Sequence, residues 1–160
     1  MTVGVRPAVP ADLPLIAALI RELAEYEDLS HAVHFDEDML GTYLFGENPA
    51  AEVLIAEHDG KAAGFALFFR NFSTFAGTPG LYLEDLFVRP EARGYGLGRA
   101  LLAELAGLAL RRDCARLEWA VLDWNEPSIA FYETIGARMR GDWRLMRLEG
   151  DSLMRLGAQK

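Results

Sequence analysis

The most constraining feature of the sequence is a glycine-rich run, Arg93-Gly94-Tyr95-Gly96-Leu97-Gly98, between two segments of different periodicity. Residues 81–89 have the pattern of a β-strand, and residues 99–112 have the pattern of an α-helix. Alternating glycines let the backbone turn sharply and bring its N–H groups close to a bulky anion. The start of the following helix adds unpaired N–H groups and the positive end of a helix dipole. This strand–loop–helix unit predicts a cradle for a diphosphate.

The spacing of the glycines excludes two common diphosphate loops. A dinucleotide-binding loop needs a further glycine where this chain has Arg99 or Leu101, depending on which glycine pair is counted. A nucleotide-triphosphate loop ends in Gly-Lys-Ser/Thr, whereas this one ends in Gly-Arg-Ala. The pattern that remains is Arg-x-x-Gly-x-Gly, formed by Arg93, Gly96 and Gly98. A glycine-rich turn that holds no ligand is the alternative.

Length and composition predict one globular domain, residues 1–160, with 51% hydrophobic and 25% charged residues. A single cysteine, Cys114, excludes an internal disulfide and suits a reducing compartment. No apolar run approaches the ~20 residues of a membrane span, and residues 1–6 lack a signal-peptide pattern. We therefore expect a cytoplasmic protein without membrane association.

Charge is distributed unevenly along the chain. The net charge of −8 argues against general nucleic-acid binding. Residues 22–59 contain eleven acids and no Lys or Arg, whereas residues 89–116 contain six arginines and three acids. Two interpretations stay open: both runs are solvated faces, or the chain holds a cation at one end of a cleft and a polyanion at the other.

Alternating periodicities predict an α/β fold, with a central mixed β-sheet that is flanked by helices and includes some parallel pairing. Asp12 is expected to cap the first helix, whose apolar stripe is Leu13, Ile16, Ile20, Leu23 and Ala24. A polar loop is expected over residues 71–80. Strands are predicted at residues 3–5, 53–57, 62–70, 81–88, 115–122, 137–147 and 154–156, and further helices at 36–44, 100–112 and 128–135.

Several segments together resemble one known superfamily. Arg6-Pro7-Ala8 followed by Asp12, the strand 81–88 and the run 124–132 followed by Gly136-Ala137 resemble the GNAT superfamily of N-acetyltransferases. More narrowly, the chain is similar to the spermidine/spermine (diamine) N-acetyltransferase family, and within it to the thialysine N-ε-acetyltransferase branch. That narrower resemblance is carried by residues 22–27, 71–75, 82–85 and 121–125, and by Trp143.

The resemblance implies acetyl-CoA as cosubstrate, no metal, a homodimer and a small cationic amine as substrate. Phe75, where polyamine enzymes often have Trp, and the short segment 138–142 are departures that bear on which amine is used. The implied cofactor contacts are Leu86, Phe87 and Val88 for pantetheine and thioester, Arg93, Gly94, Tyr95, Gly96, Leu97, Gly98 and Arg99 for pyrophosphate, and Asn125, Glu126, Pro127 and Ser128 for the cofactor arm. The implied substrate contacts are Tyr26, Glu27, Glu84, Asp85, Glu118, Trp119, Ala120 and Trp143.

Two residues are predicted to carry the chemistry. A lysine-like amine has a pKa of about 10.4 and attacks a thioester only when neutral, so a carboxylate must bind the cation and accept a proton. Glu84 is the candidate, and strand alternation places Asp85 on the opposite face, so one of the two is expected to be structural. Tyr132 matches the family's general acid for the leaving thiolate. The alternative for Tyr132 is aromatic packing beside Phe131.

Direct attack in a ternary complex is favoured because Cys114 and the serines lack an evident base. The prediction is therefore an acetyl-CoA-dependent N-acetyltransferase for a polyamine, diamine, thialysine or lysine analogue. The alternatives are transfer to a peptide, protein or aminoglycoside amine, and a non-catalytic acyl-CoA or polyamine sensor. His31, His34 and His58 are predicted to be surface residues, and no metal site is expected.

Overall fold

The computed structural model describes residues 1–159, which fall into two compact units, Met1–Ala120 and a second that begins at Val121. The predicted order of elements is confirmed through the helix that follows the fifth strand. The strands are β1 (Val3–Pro7), β2 (Glu52–His58), β3 (Lys61–Ser73), β4 (Thr78–Val88) and β5 (Leu117–Trp119), and the helices are α1 (Leu13–Tyr26), α2 (Glu37–Phe45), α3 (Leu97–Arg111), α4 (Glu126–Thr134) and α5 (Gly150–Gly157).

The five strands form one mixed sheet in the order β1-β2-β3-β4-β5. The first four pair antiparallel, and β5 pairs parallel with β4, as predicted from the helix that connects them. The turn between β2 and β3 has left-handed backbone at both Asp59 (φ 50°) and Gly60 (φ 77°). This backbone matches the twist of a tight hairpin, so the Asp-Gly pair sets the hairpin where the sequence predicted it.

Helix α1 covers the core on one side of the sheet. Ile16, Leu19 and Leu23 pack with Phe65 and Phe87, which are register partners on β3 and β4. The predicted apolar stripe of α1 is partly confirmed, because Leu13 and Ile20 are only half-buried while Ala17 and Leu19 are fully buried. Helix α3 packs against β1, β2 and β4 and buries three leucines completely or nearly so, Leu97, Leu101 and Leu105.

Asp12 lies at the N-cap position of α1, but its carboxylate does not bond to the helix amides. It accepts hydrogen bonds from the Arg6 guanidinium (2.7 and 3.0 Å) and from the Val9 N–H (2.8 Å). The hydrogen bond from Arg6 holds the pKa of Asp12 below its usual range. Since Arg6 also donates to Glu57 at 2.8 Å, the carboxylate ties β1 and β2 to the start of α1 instead of capping it.

The predicted loop over residues 71–80 is wrong. Residues 71–73 pair with residues 80–78 of β4, so only residues 74–77 lie between the strands. The composition of this segment is typical of a turn, but cross-strand pairing outweighs local preference.

The two last predicted strands are also wrong. Within residues 121–159 there is no strand, and residues 154–156 lie in α5. Asp151 in the first turn of α5 and Arg155 in its last turn complement the helix dipole. The apolar alternation of residues 143–148 imitates a strand, yet a strand needs a pairing partner. Helix α4 agrees with the helix predicted at residues 128–135, and Gly136 after it is left-handed (φ 91°).

No helix found in the described residues is both long and apolar enough to span a bilayer.

Gly64 of β3 is required by close approach to β4. A Cβ at this position would lie 2.8 Å from the Phe87 carbonyl oxygen and 3.1 Å from Val88 Cγ2. We expect Gly64→Ala to lower the free energy of unfolding by about 1–3 kcal/mol, because the β4 backbone must move. Urea unfolding checks this against Gly4→Ala on β1, where a Cβ meets nothing within 4 Å and the expected change is below about 0.5 kcal/mol. Equal effects of the two substitutions would contradict the explanation.

Candidate coenzyme and amine site

The glycine loop joins β4 to α3 and has the conformation that its glycines permit. Gly94 (φ 83°) and Gly96 (φ 87°) are both left-handed, and a Cβ on either would meet nothing within 4 Å. Glycine is therefore needed here for the backbone conformation, and the space beside the loop is open. Gly96 is the N-cap of the 15-residue α3, whose first N–H groups have no acceptor within the helix. Open space, left-handed glycines and a helix start fit a diphosphate group.

Arg93 fastens the loop to the end of β4 and to the end of α1. Its Nε donates to the Val88 carbonyl at 2.9 Å. Its guanidinium carbon lies 4.9 Å from the ring centre of Tyr26 and 5.7 Å from that of Phe87. The two rings are 6.4 Å apart. The side chain of Arg93 thus contacts both Val88, a predicted coenzyme contact, and Tyr26, a predicted substrate contact.

Strand β4 is irregular at the position of Glu84. Asp85 pairs with Leu67 and Leu83 pairs with Phe68, which leaves Glu84 as an extra residue without a register partner. Such bulges interrupt the ladder and re-aim side chains. Pairing with β3 continues from Asp85 to Leu86 and beyond.

The β5 side of β4 becomes unpaired at the same place. The parallel ladder ends where Leu83 pairs with Trp119, the last residue of β5. Beyond Leu83, the first unit offers no strand to the main-chain groups of Glu84–Val88 that face away from β3. These include Leu86, Phe87 and Val88, the residues predicted to hold pantetheine and thioester.

Three carboxylates gather near this edge. Glu84 is exposed, Asp85 on β4 and Glu27 after α1 are partly buried. Burial, together with the charges of Glu84 and Glu27, raises the pKa of Asp85 to about 7. Burial also raises the pKa of Glu27. A bound ammonium group would relieve both the repulsion and the burial penalty, so the arrangement suits a cation.

The other predicted wall residues of the first unit lie on or beside β5. Glu118 accepts hydrogen bonds from Arg116 at 2.9 Å and from Asn71 at 3.5 Å, so its charge is already partly balanced. Trp119 is half-buried and Ala120 is exposed. Burial together with the charges of Glu84 and Glu118 raises the pKa of Tyr82.

The remaining predicted residues belong to the second unit. Asn125 is buried and caps α4, where its Oδ1 accepts from the Ser128 N–H at 3.4 Å. Tyr132 is half-buried on the same helix, and its ring centre lies 5.5 Å from that of Phe131. Trp143 is exposed. Glu126 and Pro127 open α4, so the predicted cofactor-arm residues and Tyr132 share one helix.

One residue beside the loop is absent from the predicted set. His58, at the end of β2, was expected at the surface, but its side chain is only 21% exposed. Its imidazole stacks on the ring of Tyr95, with ring centres 4.3 Å apart and planes 21° from parallel. No sequence signal pairs the two residues, because they are brought together only by the sheet and the loop.

Comparison with known proteins finds one family. A family model described as "Acetyltransferase (GNAT) family" matches residues 16–137. The chain is 37% identical to thialysine N-epsilon-acetyltransferase of Sus scrofa over 169 residues, 99% of each protein. It is 33% identical to L-ornithine N5-acetyltransferase of Arabidopsis thaliana over 194 residues, 93% of this chain and 85% of that protein.

Solved structures agree with the fold. An integron cassette protein from the mobile metagenome of V. cholerae superposes with a TM-score of 0.81 at 31% identity and covers 99% of both chains. With the family model matched over most of the chain and relatives aligned from end to end, the chain belongs to the acetyltransferase (GNAT) family and is an N-acetyltransferase.

Proposed function

We propose that this protein transfers an acetyl group from acetyl-CoA to a primary amine of a small cationic substrate, such as a polyamine, a diamine, thialysine or a lysine analogue. The observation that carries the proposal is the cluster of Glu27, Glu84 and Asp85 beside the open edge of β4 and the glycine loop. The named activities of the relatives in pig and Arabidopsis, which concern thialysine and ornithine, support the same substrate class.

The residues present fit acetyl-CoA. The amides of Gly94 to Arg99 would hold its pyrophosphate, and Arg93 would fix the loop through its hydrogen bond to the Val88 carbonyl. Main-chain groups of Leu86, Phe87 and Val88 would hold pantetheine, and Asn125 to Ser128 would contact the arm. When bound, the coenzyme supplies a thioester whose carbonyl carbon accepts the amine.

Carboxylates then perform two tasks on the amine. They hold the ammonium form by charge, and one of them accepts its proton, directly or through water, since only the neutral amine attacks. Glu84 is proposed as the proton acceptor because it is exposed at the bulge. Asp85 and Glu27 are proposed to bind the cation, with Tyr26, Glu118, Trp119, Ala120 and Trp143 as further substrate contacts.

Tyr132 is proposed as the general acid. A tyrosine hydroxyl has an unperturbed pKa of about 10 and stays protonated near neutrality, so its Oη holds the proton that the departing sulfur requires. No acyl-enzyme is invoked, because attack of the amine on the thioester needs no protein nucleophile.

We further propose that residues 1–160 act as one transferase domain, in a cytoplasmic homodimer. The single Cys114 suits a reducing compartment. Exposed apolar side chains in the second unit support self-association, and the larger ones are Trp124, Met139, Trp143, Leu145, Met146, Leu148, Leu153, Met154 and Leu156.

The experiment is a screen of amines with acetyl-CoA, read as release of free thiol and as mass gain of the amine. We expect turnover with diamines, thialysine, ornithine or lysine, and the kcat/KM of Glu84→Gln to fall by about 10²-fold or more. Glu104→Gln on α3, where the side chain is 44% exposed and pairs with Arg111, is the matched control and should behave as wild type.

Three other outcomes would point elsewhere. Coenzyme binding without turnover of any amine indicates a sensor. Turnover only with peptide or protein amines, or only with aminoglycosides, would overturn the substrate class. Failure to bind coenzyme at all would overturn the proposal as a whole.

A further inference from the structure

We propose that His58 is a positioning residue for the coenzyme loop, because its imidazole stacks on Tyr95 and holds the loop amides in the arrangement that receives the diphosphate. The inference rests on the proposed function, in which residues 94–99 bind the pyrophosphate of acetyl-CoA. It concerns a residue outside the glycine motif, at the end of β2.

The loop needs such a support. Tyr95 lies between Gly94 and Gly96, which are both left-handed. A Cβ on either glycine would contact no atom within 4 Å, so neighbouring atoms do not restrain the loop at these two positions. Glycines lose more conformational freedom on ordering than other residues. A loop that contains them binds a ligand tightly only if its backbone is already ordered before the ligand arrives.

Two side chains supply contacts that can order it. On the β4 side, Arg93 donates to the Val88 carbonyl at 2.9 Å. In the middle of the loop, the Tyr95 ring stacks on His58 at 4.3 Å between ring centres, nearly parallel. Tyr95 is 44% exposed, so burial in the core does not fix it and the ring face against His58 is a principal restraint.

The environment of His58 supports a stacking role. Its Nε2 is buried and has no hydrogen-bond partner among residues 1–159. Asp59 Oδ2, at 3.8 Å, is beyond hydrogen-bond distance. His58 is placed on β2 by its register pairing with Val3 and Lys61, so the sheet presents the ring rigidly to the loop.

The test compares His58→Leu, which fills the space without an aromatic ring, with His58→Phe, which retains a ring. We expect His58→Leu to raise the Kd of CoA and the KM of acetyl-CoA about 3- to 10-fold, which is the size of effect expected for the loss of one aromatic stacking pair. The kcat should stay within about 2-fold, and His58→Phe should restore wild-type affinity. Calorimetry with CoA gives the binding readout independently of turnover.

A truncated donor separates positioning from general damage. S-acetyl-pantetheine lacks the nucleotide and its diphosphate, so its kcat/KM should be the same for wild type and His58→Leu. Loss with both donors, or equal CoA binding by all three proteins, would overturn the inference. If wild type itself does not bind CoA, the proposed function has failed, and that result is distinct from a failure of the role of His58.

The stacking contact can also be removed by substituting Tyr95 instead of His58. Tyr95→Leu should weaken CoA binding, and His58→Leu should add nothing further in that background, because one interaction is lost only once. Additive losses would mean that His58 acts through something other than Tyr95. Circular dichroism of each variant confirms that the fold is retained.

Discussion

Tyr132→Phe is expected to lower kcat by about 10²- to 10⁴-fold while CoA binding changes less than about 2-fold. Phenylalanine keeps the ring beside Phe131 and removes only the hydroxyl that is proposed to protonate sulfur. The loss should therefore be in the chemical step, and it should appear equally in kcat and kcat/KM for acetyl-CoA. Stopped-flow thiol release and calorimetry with CoA measure the two quantities.

The matched control is Tyr43→Phe on α2, where the side chain is exposed and no change in activity is expected. A kcat for Tyr132→Phe within about 3-fold of wild type would contradict the general-acid role. It would favour the alternative in which Tyr132 packs as an aromatic residue. A substrate whose leaving thiol is more acidic should narrow the gap between Tyr132→Phe and wild type, since a better leaving group needs less protonation.

The second large effect concerns Asp85 and pH. Because burial and neighbouring carboxylates raise the pKa of Asp85 in the folded protein to about 7, and its unfolded value is about 3.9, the folded state binds more protons between these two pH values. The free energy of unfolding should therefore fall as pH rises from about 4 to about 8. The part due to Asp85 is of order 4 kcal/mol, from about three pKa units.

Asp85→Asn removes this titration. We expect urea unfolding at several pH values to show little difference between variant and wild type near pH 4, and a variant that is more stable near pH 8 by about 2–4 kcal/mol. The control is Asp113→Asn, at an exposed position with φ 55° that asparagine tolerates. Parallel pH curves for Asp85→Asn and wild type would contradict the assignment.

Asp85→Asn should also weaken binding of the amine substrate. The KM of wild type for a diamine should fall as pH rises through 7, because Asp85 then gains charge, and Asp85→Asn should lose this dependence. Its KM near pH 8 should be about 10-fold higher, on the scale of a lost charge-assisted hydrogen bond. Steady-state kinetics across pH 6 to 8.5, a range in which the amine itself stays cationic, measures this.

Local chemistry explains what the sequence could predict of the fold. The Asp59-Gly60 turn needs left-handed backbone at both positions, so it marks the β2–β3 hairpin without any tertiary information. Asp36 could likewise be read as the start of α2, where its side chain accepts from the amides of Asp38 and Met39. Residues 71–73 were misassigned because their pairing partners lie across a turn, and that pairing has no local signature.

The site shows the same division. Gly94 and Gly96 reveal the loop because their conformation excludes other residues. The bulge at Glu84 gives β4 one residue more than the facing stretch of β3. The alternation of side chains along β4 alone cannot reveal this extra residue. The pKa of Asp85 depends on Glu27, at the far end of another element, and His58 meets Tyr95 only in the folded sheet. Each of these features depends on how close two segments remote in sequence come in the folded protein, which the sequence alone does not give.

The early end of β5 has an evolutionary consequence. β4 parts from its parallel neighbour after Leu83. Under the proposed function, peptide groups of this stretch rather than side chains would contact the coenzyme arm. Recognition through peptide groups places no demand on side-chain identity. If these groups bind the thioester as proposed, Leu86 and Val88 could be replaced by other residues that suit a strand without loss of that binding. Divergent homologues should thus differ freely along this stretch, and selection should concentrate on the glycines that follow it.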